Sequence, residues 1–189
     1  MRDWIFSIYT KLIARKFGRF GKDSFIHPIL NMECPENIYI GENVIIGSFC
    51  CLMTVCLPRR PKPFLEIGNG VSLGAYSTVS AAQKIIIGDN VMTSQRVMIV
   101  DHLHDYSDIK EKNYNKITEG EEIAIEEKCF IGANVVVLPG VKIGSHSVIG
   151  ANAVVSRDIP PYSIAAGVPA KVIKKYDFKL NKWVSVRKL

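Results

Sequence analysis

Two histidines, His102 and His104, stand two residues apart in the run Val100-Asp101-His102-Leu103-His104-Asp105. On an extended strand residues i and i+2 share a face, so both imidazoles would point the same way. An imidazole titrates near neutrality, which lets it take a proton from a hydroxyl and return one to a leaving group. Two competing readings are a metal site and a solvated pair. Zinc takes three or four ligands, and neither a third His nor a Cys stands at suitable spacing, so the pattern argues against metal. Asp101 either orients the pair or is a corner residue bonded to its own backbone. His27 precedes a proline, and His146 lies in the hexad Ile143-Gly144-Ser145-His146, where an outward, solvated position is expected.

The elements that must hold these groups follow from a period of six. Ile125, Ile131, Val137, Ile143, Ile149 and Val155 fall six apart, and Cys129, Val135, Val141, Ser147 and Ala153 form a second, smaller series. Six residues advance an α-helix by about 600°, so they cannot line one helical stripe. Gly132, Gly144 and Gly150 mark corners, where the chain turns or backbone comes close. Three short strands and three corners make one coil of a β-helix, each coil laying its aliphatic residue on the one below. Ile40-Gly41 and Ile46-Gly47 open the repeat, and Pro58-Arg59-Arg60-Pro61-Lys62-Pro63 breaks it with a loop. Ile67-Gly68, Leu73-Gly74, Val79, Ile87-Gly88 and Ile99 resume it. The polar stretch Tyr106 to Glu122 then interrupts, directly after the histidines, and a long insertion at that place is expected to border the site. Pro160-Pro161 ends the repeat. The expected division is a helical cap over 1–34, the β-helix over 35–173 with an insertion at 105–122, and a terminal cap over 174–189.

The chain is long enough to bury a full core. Its net charge of +6 belongs to its ends: residues 1–20 hold five bases and one acid, and 171–189 hold seven and one. The body between them keeps twelve bases and sixteen acids, and no basic stripe with interleaved aromatics runs through it, which argues against nucleic acid. Five cysteines without a CxxC pair read as buried thiols of a reducing, cytoplasmic compartment. No apolar run approaches a membrane span, and residues 1–20 lack a signal-peptide pattern. Trp4, Ile5, Ile8, Leu12 and Ile13 give a helical stripe ending at Gly18. That helix either caps the open end of the solenoid or lies on a membrane surface, with Lys11, Arg15, Lys16 and Arg19 meeting anionic lipid.

One string carries a family resemblance: Phe130-Ile131-Gly132-Ala133-Asn134, Leu138-Pro139-Gly140-Val141-Lys142-Ile143-Gly144, Arg157-Asp158-Ile159-Pro160-Pro161 and Ala166-Gly167-Val168-Pro169-Ala170-Lys171. Over about residues 35–175 the chain resembles the left-handed β-helix acyltransferases with hexapeptide repeats. Within them it is most similar to sugar O-acetyltransferases of the galactoside and maltose type and of capsule and lipopolysaccharide modification. The resemblance implies an all-β solenoid and a homotrimer with its active sites between subunits. It also implies direct transfer from acetyl-CoA to a sugar hydroxyl, without metal. In that family the catalytic His lies thirteen residues after the motif Ile-Gly-Asp-Asn-Val, here Ile87 to Val91, which selects His104 with His102 as its neighbour. Ala133, Ala151, Ser156, Arg157, Lys171 and Lys174 match positions lining the CoA groove, and a backbone N–H at a corner such as Ala133 would meet the oxyanion.

Two departures stand out: Phe130 replaces a common Trp, and the acceptor-binding polar residues of the galactoside enzymes are not matched around Tyr76 and Ser77. The expected acceptor is therefore a surface-polysaccharide sugar or its lipid- or nucleotide-linked precursor. Other readings are an N-acetyltransferase of an amino sugar or antibiotic, a metal-dependent hydratase, and a non-catalytic trimeric scaffold.

Overall fold

The computed structural model describes residues 2–56, 61–110 and 116–186, with side chains from Ser7 onward. Three parallel sheets run along a left-handed β-helix, and each coil gives one strand to each sheet. The six coils span residues 19–33, 38–54, 64–81, 84–100, 123–137 and 142–155, their three strands falling in turn on sheets A, B and C.

The period of six is the coil geometry itself: a strand of about two residues and a corner of about four make one side of the triangle. On the inner face of sheet A, Ile40, Ile67, Ile87, Ile125 and Ile143 stack in register, and all are buried. Sheet B stacks Ile26, Ile46, Leu73, Thr93, Ile131, Ile149 and Ala165 in the same way. Each fully buried aliphatic side chain contributes about 1.5–3 kcal/mol. The polar rung Thr93 stays satisfied, because its Oγ1 accepts from the Gly74 N–H at 2.9 Å and donates to the Ser94 carbonyl at 3.1 Å. Close stacking excludes side chains at some corners. A Cβ at Gly132 would stand 2.6 Å from the Ala151 backbone nitrogen of the next coil.

The corners turn through left-handed residues. Asn43, Asn90, Asn134 and Asn152 take φ of 56°, 57°, 57° and 61°, a region Asn tolerates. Phe49, Tyr76, Arg96, His146 and Tyr162 also sit there, and stacking between coils offsets that strain. Phe49 lies on Tyr76 with centroids 5.2 Å apart, and His146 on Tyr162 at 4.8 Å.

Four expectations differ from the observed fold. The first coil is residues 19–33, inside the segment assigned to a helical cap; Phe20, Ile26 and Met32 carry the six-residue signal there. The helix α1 (Arg2–Ala14) ends before Gly18, and its packed face is Tyr9, Thr10 and Ile13. Ile8 and Leu12 are exposed, while Trp4 and Ile5 lie outside the described side chains. Thr10 Oγ1 donates to the Ile26 carbonyl at 3.0 Å and accepts the Ile26 N–H at 3.1 Å, so the helix closes the open end of the first coil.

At the other end, Pro160-Pro161 does not stop the repeat. These prolines occupy a corner, where no ladder N–H is needed, and Ser163–Ala166 adds another parallel strand to sheet B. Lys171–Asp177 and Lys182–Ser185 then turn back as an antiparallel ribbon on that sheet, starting within the range expected for the solenoid.

The cysteines also divide. Cys50 and Cys129 fill the small-residue series and are buried, whereas Cys34 and Cys51 are half-buried and Cys56 is exposed. Among the described residues no helix is long and apolar enough to cross a membrane.

Both interruptions of the solenoid, after Thr54 and after Val100, leave from the same corner, between sheets C and A. Burial, helped by Cys51 beside the first and by Glu126 and Glu127 near the second, pushes the Cys50 and Cys129 thiols up to about 11, so the folded protein holds them neutral. The expected outcome is that iodoacetamide at pH 8 leaves both unmodified in the folded protein and labels both in denaturant, read by peptide mass spectrometry. Because the folded pKa is raised, the thiols' stabilising contribution is full below pH 9 and declines as pH rises toward 11.

Candidate active site

Asp101 closes the last strand of the fourth coil, and its carboxylate is fully buried. Burying a carboxylate requires partners, and it has four. The Ala82 N–H donates to Oδ1 at 2.7 Å, and the N–H groups of Gln83 and Lys84 donate to Oδ2 at 2.8 Å each. His102 Nδ1 lies 2.9 Å from Oδ1. Asp101 therefore clamps the corner of the coil before it and holds one imidazole by a single edge. With Nδ1–H donating to the carboxylate, Nε2 of His102 is left as the proton acceptor.

His104 is placed differently. It is exposed and forms an antiparallel bridge with Ile117, at the root of the insertion. The ribbon continues with the Asp105 N–H on the Lys116 carbonyl and the Thr118 N–H on the Leu103 carbonyl, both at 2.8 Å. Ser107, whose backbone N–H and hydroxyl both bond Asp105, holds that carboxyl below the usual carboxylate range. The two histidines thus leave the same corner, and the buried carboxylate grips the first.

A cleft of about 470 Å³ adjoins this clamp. The backbone of Ala82 to Lys84, whose N–H groups Asp101 accepts, lines it together with Pro61, Lys62, Glu119 and Glu122. Both insertions therefore border it, and its wall combines apolar surface from Pro61, Phe64 and Ala82 with charges of both signs, Lys84 being paired to Glu122 at 3.1 Å. The segment 57–60 of the first insertion and 111–115 of the second lie outside the described residues.

The residues matched to a CoA groove fall in two places. Ala133 and Ala151 are stacked at the corner between sheets B and C, where the Asn152 N–H donates to the Ala133 carbonyl at 2.8 Å. Their side chains end at Cβ, so an extended chain can lie against the backbone there. Lys171 starts the terminal ribbon, paired with Ala166 beside the last coil, and Lys174 pairs with Ile164 further along it; both are exposed. Ser156 and Arg157 follow the last strand of sheet C, at the corner from which the histidines also leave.

The fold and site now bear comparison with known proteins. Residues 123–157 match the family described as bacterial transferase hexapeptide (six repeats). WbbJ of Escherichia coli, whose name assigns it to O-acetyl transfer in lipopolysaccharide biosynthesis, is 34% identical over 154 residues, 78% of this chain and 76% of that protein. The chain belongs to the hexapeptide-repeat acyltransferases. A galactoside O-acetyltransferase of Lactococcus lactis is 32% identical over 169 residues, 85% of this chain and 76% of the relative. Among solved structures, AntD of Bacillus cereus, an N-acyltransferase in complex with dTDP and 3-hydroxybutyryl-CoA, superposes with a TM-score of 0.72 at 24% identity, covering 91% of this chain and 90% of its own. That last likeness concerns the fold.

For this hexapeptide-repeat acyltransferase, spacing alone could not show that Asp101 grips His102 or that three backbone N–H groups converge on one carboxylate. The signal available was the place of Asp101 two residues after the inward Ile99, one past Val100, which is in register with Ser80 of the coil before. Replacing Asp101 with Asn removes the charge from three short hydrogen bonds and leaves an amide N–H₂ facing backbone donors. Its expected cost is ~3 kcal/mol of stability, read by urea unfolding, against less than ~0.5 kcal/mol for the exposed His104→Ala.

Proposed function

We propose that this chain transfers an acetyl group from acetyl-CoA to a hydroxyl of a sugar, with His102, held by Asp101, as the general base and His104 beside it. The observation carrying this reading is the buried Asp101 carboxylate 2.9 Å from His102 Nδ1. It fixes the tautomer and steadies the imidazolium that forms when Nε2 takes the acceptor's proton. Acetyl-CoA supplies an activated acyl carbon and a thiol leaving group. As the sugar oxygen bonds to that carbon, His102 takes the hydroxyl proton and passes it to the departing sulfur. A backbone N–H at the Ala133 corner is the donor available to the developing oxyanion. No nucleophilic cysteine is needed, since Cys50 and Cys129 are buried and held neutral.

One subunit cannot assemble these parts. His102 and Ala133 lie at opposite ends of sheet C, separated by a strand of about five residues, or roughly 16 Å. A homotrimer solves this by setting the histidine corner of one protomer against the Ala133–Ala151 corner of the next. The surface supports such an interface. The outer face of sheet B carries Ile45, Met92 and Phe130 in the open and continues around the corner through Phe49 and Tyr76. The outer face of sheet A instead mixes ion pairs, Arg19 with Glu66 at 3.0 Å and Lys142 with Glu126 at 2.8 Å, with the half-buried stack of Tyr39 on Phe64. Exposed large apolar side chains thus gather on sheet B and its corner, the mark of an interaction surface.

The acceptor enters beside the clamp, where the cleft between the two insertions offers Lys62, Lys84 and Glu119 to a hydroxyl-rich molecule. The names of WbbJ and of the galactoside enzyme support a sugar hydroxyl, and the former supports a lipopolysaccharide or surface-polysaccharide component or its precursor. Lys11 in α1 and Arg15 and Lys16 just after it, beside exposed Ile8 and Leu12, suit a lipid-linked form of that acceptor. The expected compartment is the cytoplasm.

Two experiments test this reading. His102→Ala should lower kcat for acetyl transfer by at least ~100-fold, with circular dichroism unchanged. Loss with His104→Ala and retention with His102→Ala would move the base to His104, the position that the family resemblance selects. Co-refolding equal amounts of His102→Ala and Ala133→Trp, each inactive alone, should restore about a quarter of wild-type activity, because each site draws one half from each neighbour. No recovery would place the whole site within one subunit.

A further inference from the structure

We infer that Cys34, Glu36 and Cys56 form a binding site for a soft divalent cation of the zinc type. The two Sγ atoms and the Glu36 carboxylate lie within 4.8 Å of one another. This set is separate from the two histidines and belongs to the other interrupted corner, where the first coil passes to the second and the second gives way to the first insertion.

Each donor is held by backbone structure. Cys34 stands at φ 41° and ψ 55° and begins the 3₁₀ turn Pro35–Asn37, with Pro35 at its first position. The Cys34 carbonyl accepts the Asn37 N–H at 3.1 Å and the Thr54 hydroxyl at 2.8 Å. The turn therefore brings Glu36 to the same side as Cys34 and ties both to the strand that delivers Cys56. Asn37 is buried, and its Nδ2 donates to the Cys56 sulfur at 3.2 Å. An amide donor behind a ligating sulfur is the kind of outer contact that orients a ligand and stabilises a thiolate.

The chemistry selects the ion. Two thiolates favour zinc or another soft cation over magnesium or calcium, and a carboxylate oxygen is a usual third zinc ligand. Glu36 and Cys56 are exposed, so a cation reaches the site from solvent and water completes a tetrahedron. Binding replaces two S–H bonds with two metal–sulfur bonds and releases two protons, with no change of oxidation state. Its consequence is a cross-link between the end of the first coil and the end of the second, made without a disulfide.

The test uses the full chain, reduced, stripped with a chelator and titrated with Co²⁺ alone and then Zn²⁺ alone. The expected result is one Co²⁺ per chain with a thiolate-to-metal charge-transfer band, displaced by one equivalent of Zn²⁺. Cys34→Ser and Cys56→Ser should each abolish the band, and Cys51→Ser, at a half-buried thiol outside the set, should keep it. Zn²⁺ should also raise the melting temperature of the wild type and leave that of the Cys34→Ser/Cys56→Ser double variant unchanged. A wild-type protein without the band, or a band surviving in both single variants, would overturn the site. So would a reduced protein that takes no metal but forms a Cys34–Cys56 disulfide on mild oxidation. None of these readouts depends on acetyl transfer.

Discussion

Every coil of this protein must set its strands on those of the coil before at the spacing of a parallel sheet, about 4.8 Å. That constraint decides what each sixth residue can be. Inward positions take Ile, Val or Leu because an aliphatic side chain fills the rung and meets its neighbours above and below, as Ile87, Ile125 and Ile143 do. Corner positions take Gly132 or a small residue because the next backbone is in van der Waals contact. With the interior filled, chemistry is left to the outside, and an outside corner gains reach only by letting the chain out of the repeat. Both escapes occur at the corner between sheets C and A, and both carry polar residues to one cleft.

Asp101 is where the repeat and the proposed chemistry would share an atom. An insertion of about twenty residues would loosen the coil from which it springs, and loop closure has an entropic cost of its own. The buried carboxylate counters this by binding Ala82, Gln83 and Lys84 of the preceding corner. The same oxygen that accepts from Ala82 faces His102 Nδ1, so the imidazole is oriented by a group that the fold already needs. A residue with both duties cannot be read from stability or from activity alone.

Much of the architecture was legible in the sequence because the coil period is short and its residue demands are strict. The rungs from Ile125 to Val155 stand where the spacing put them, and the break expected at 58–63 and the insertion expected at 105–122 fall inside the wider gaps between Thr54 and Phe64 and between Val100 and Ile123. The first coil was harder to see: Phe20, Ile26 and Met32 keep the period, but the register slips between Met32 and Ile40 and a 3₁₀ turn intervenes. Pro160 and Pro161 misled for the opposite reason. A proline forbids a ladder N–H, yet at a corner none is required. Of the helix stripe Ile13 packs, while Ile8 and Leu12 stay exposed because Thr10 and Tyr9 reach the backbone of Ile26 and Ile29 and set the packed face.

The site was legible as a set of residue types and illegible as an assembly. Spacing brings two histidines to one corner, but which of them receives the carboxylate depends on a one-residue geometry that only the folded corner fixes. The split of Ala133 and Ala151 from Ser156 and Arg157 has the same origin: residues close in sequence are sent to different corners of a triangle by each side of about six residues. Six residues is also the period at which apolar and small positions recur, so the pattern that announces the fold scatters the candidate site residues. A solenoid of this cross-section has convex walls and no interior pocket, and its corners point away from one another. In the proposed trimer, the exposed apolar stripe on sheet B would be the physical means of bringing two such corners together, by placing a second copy of the chain against the first.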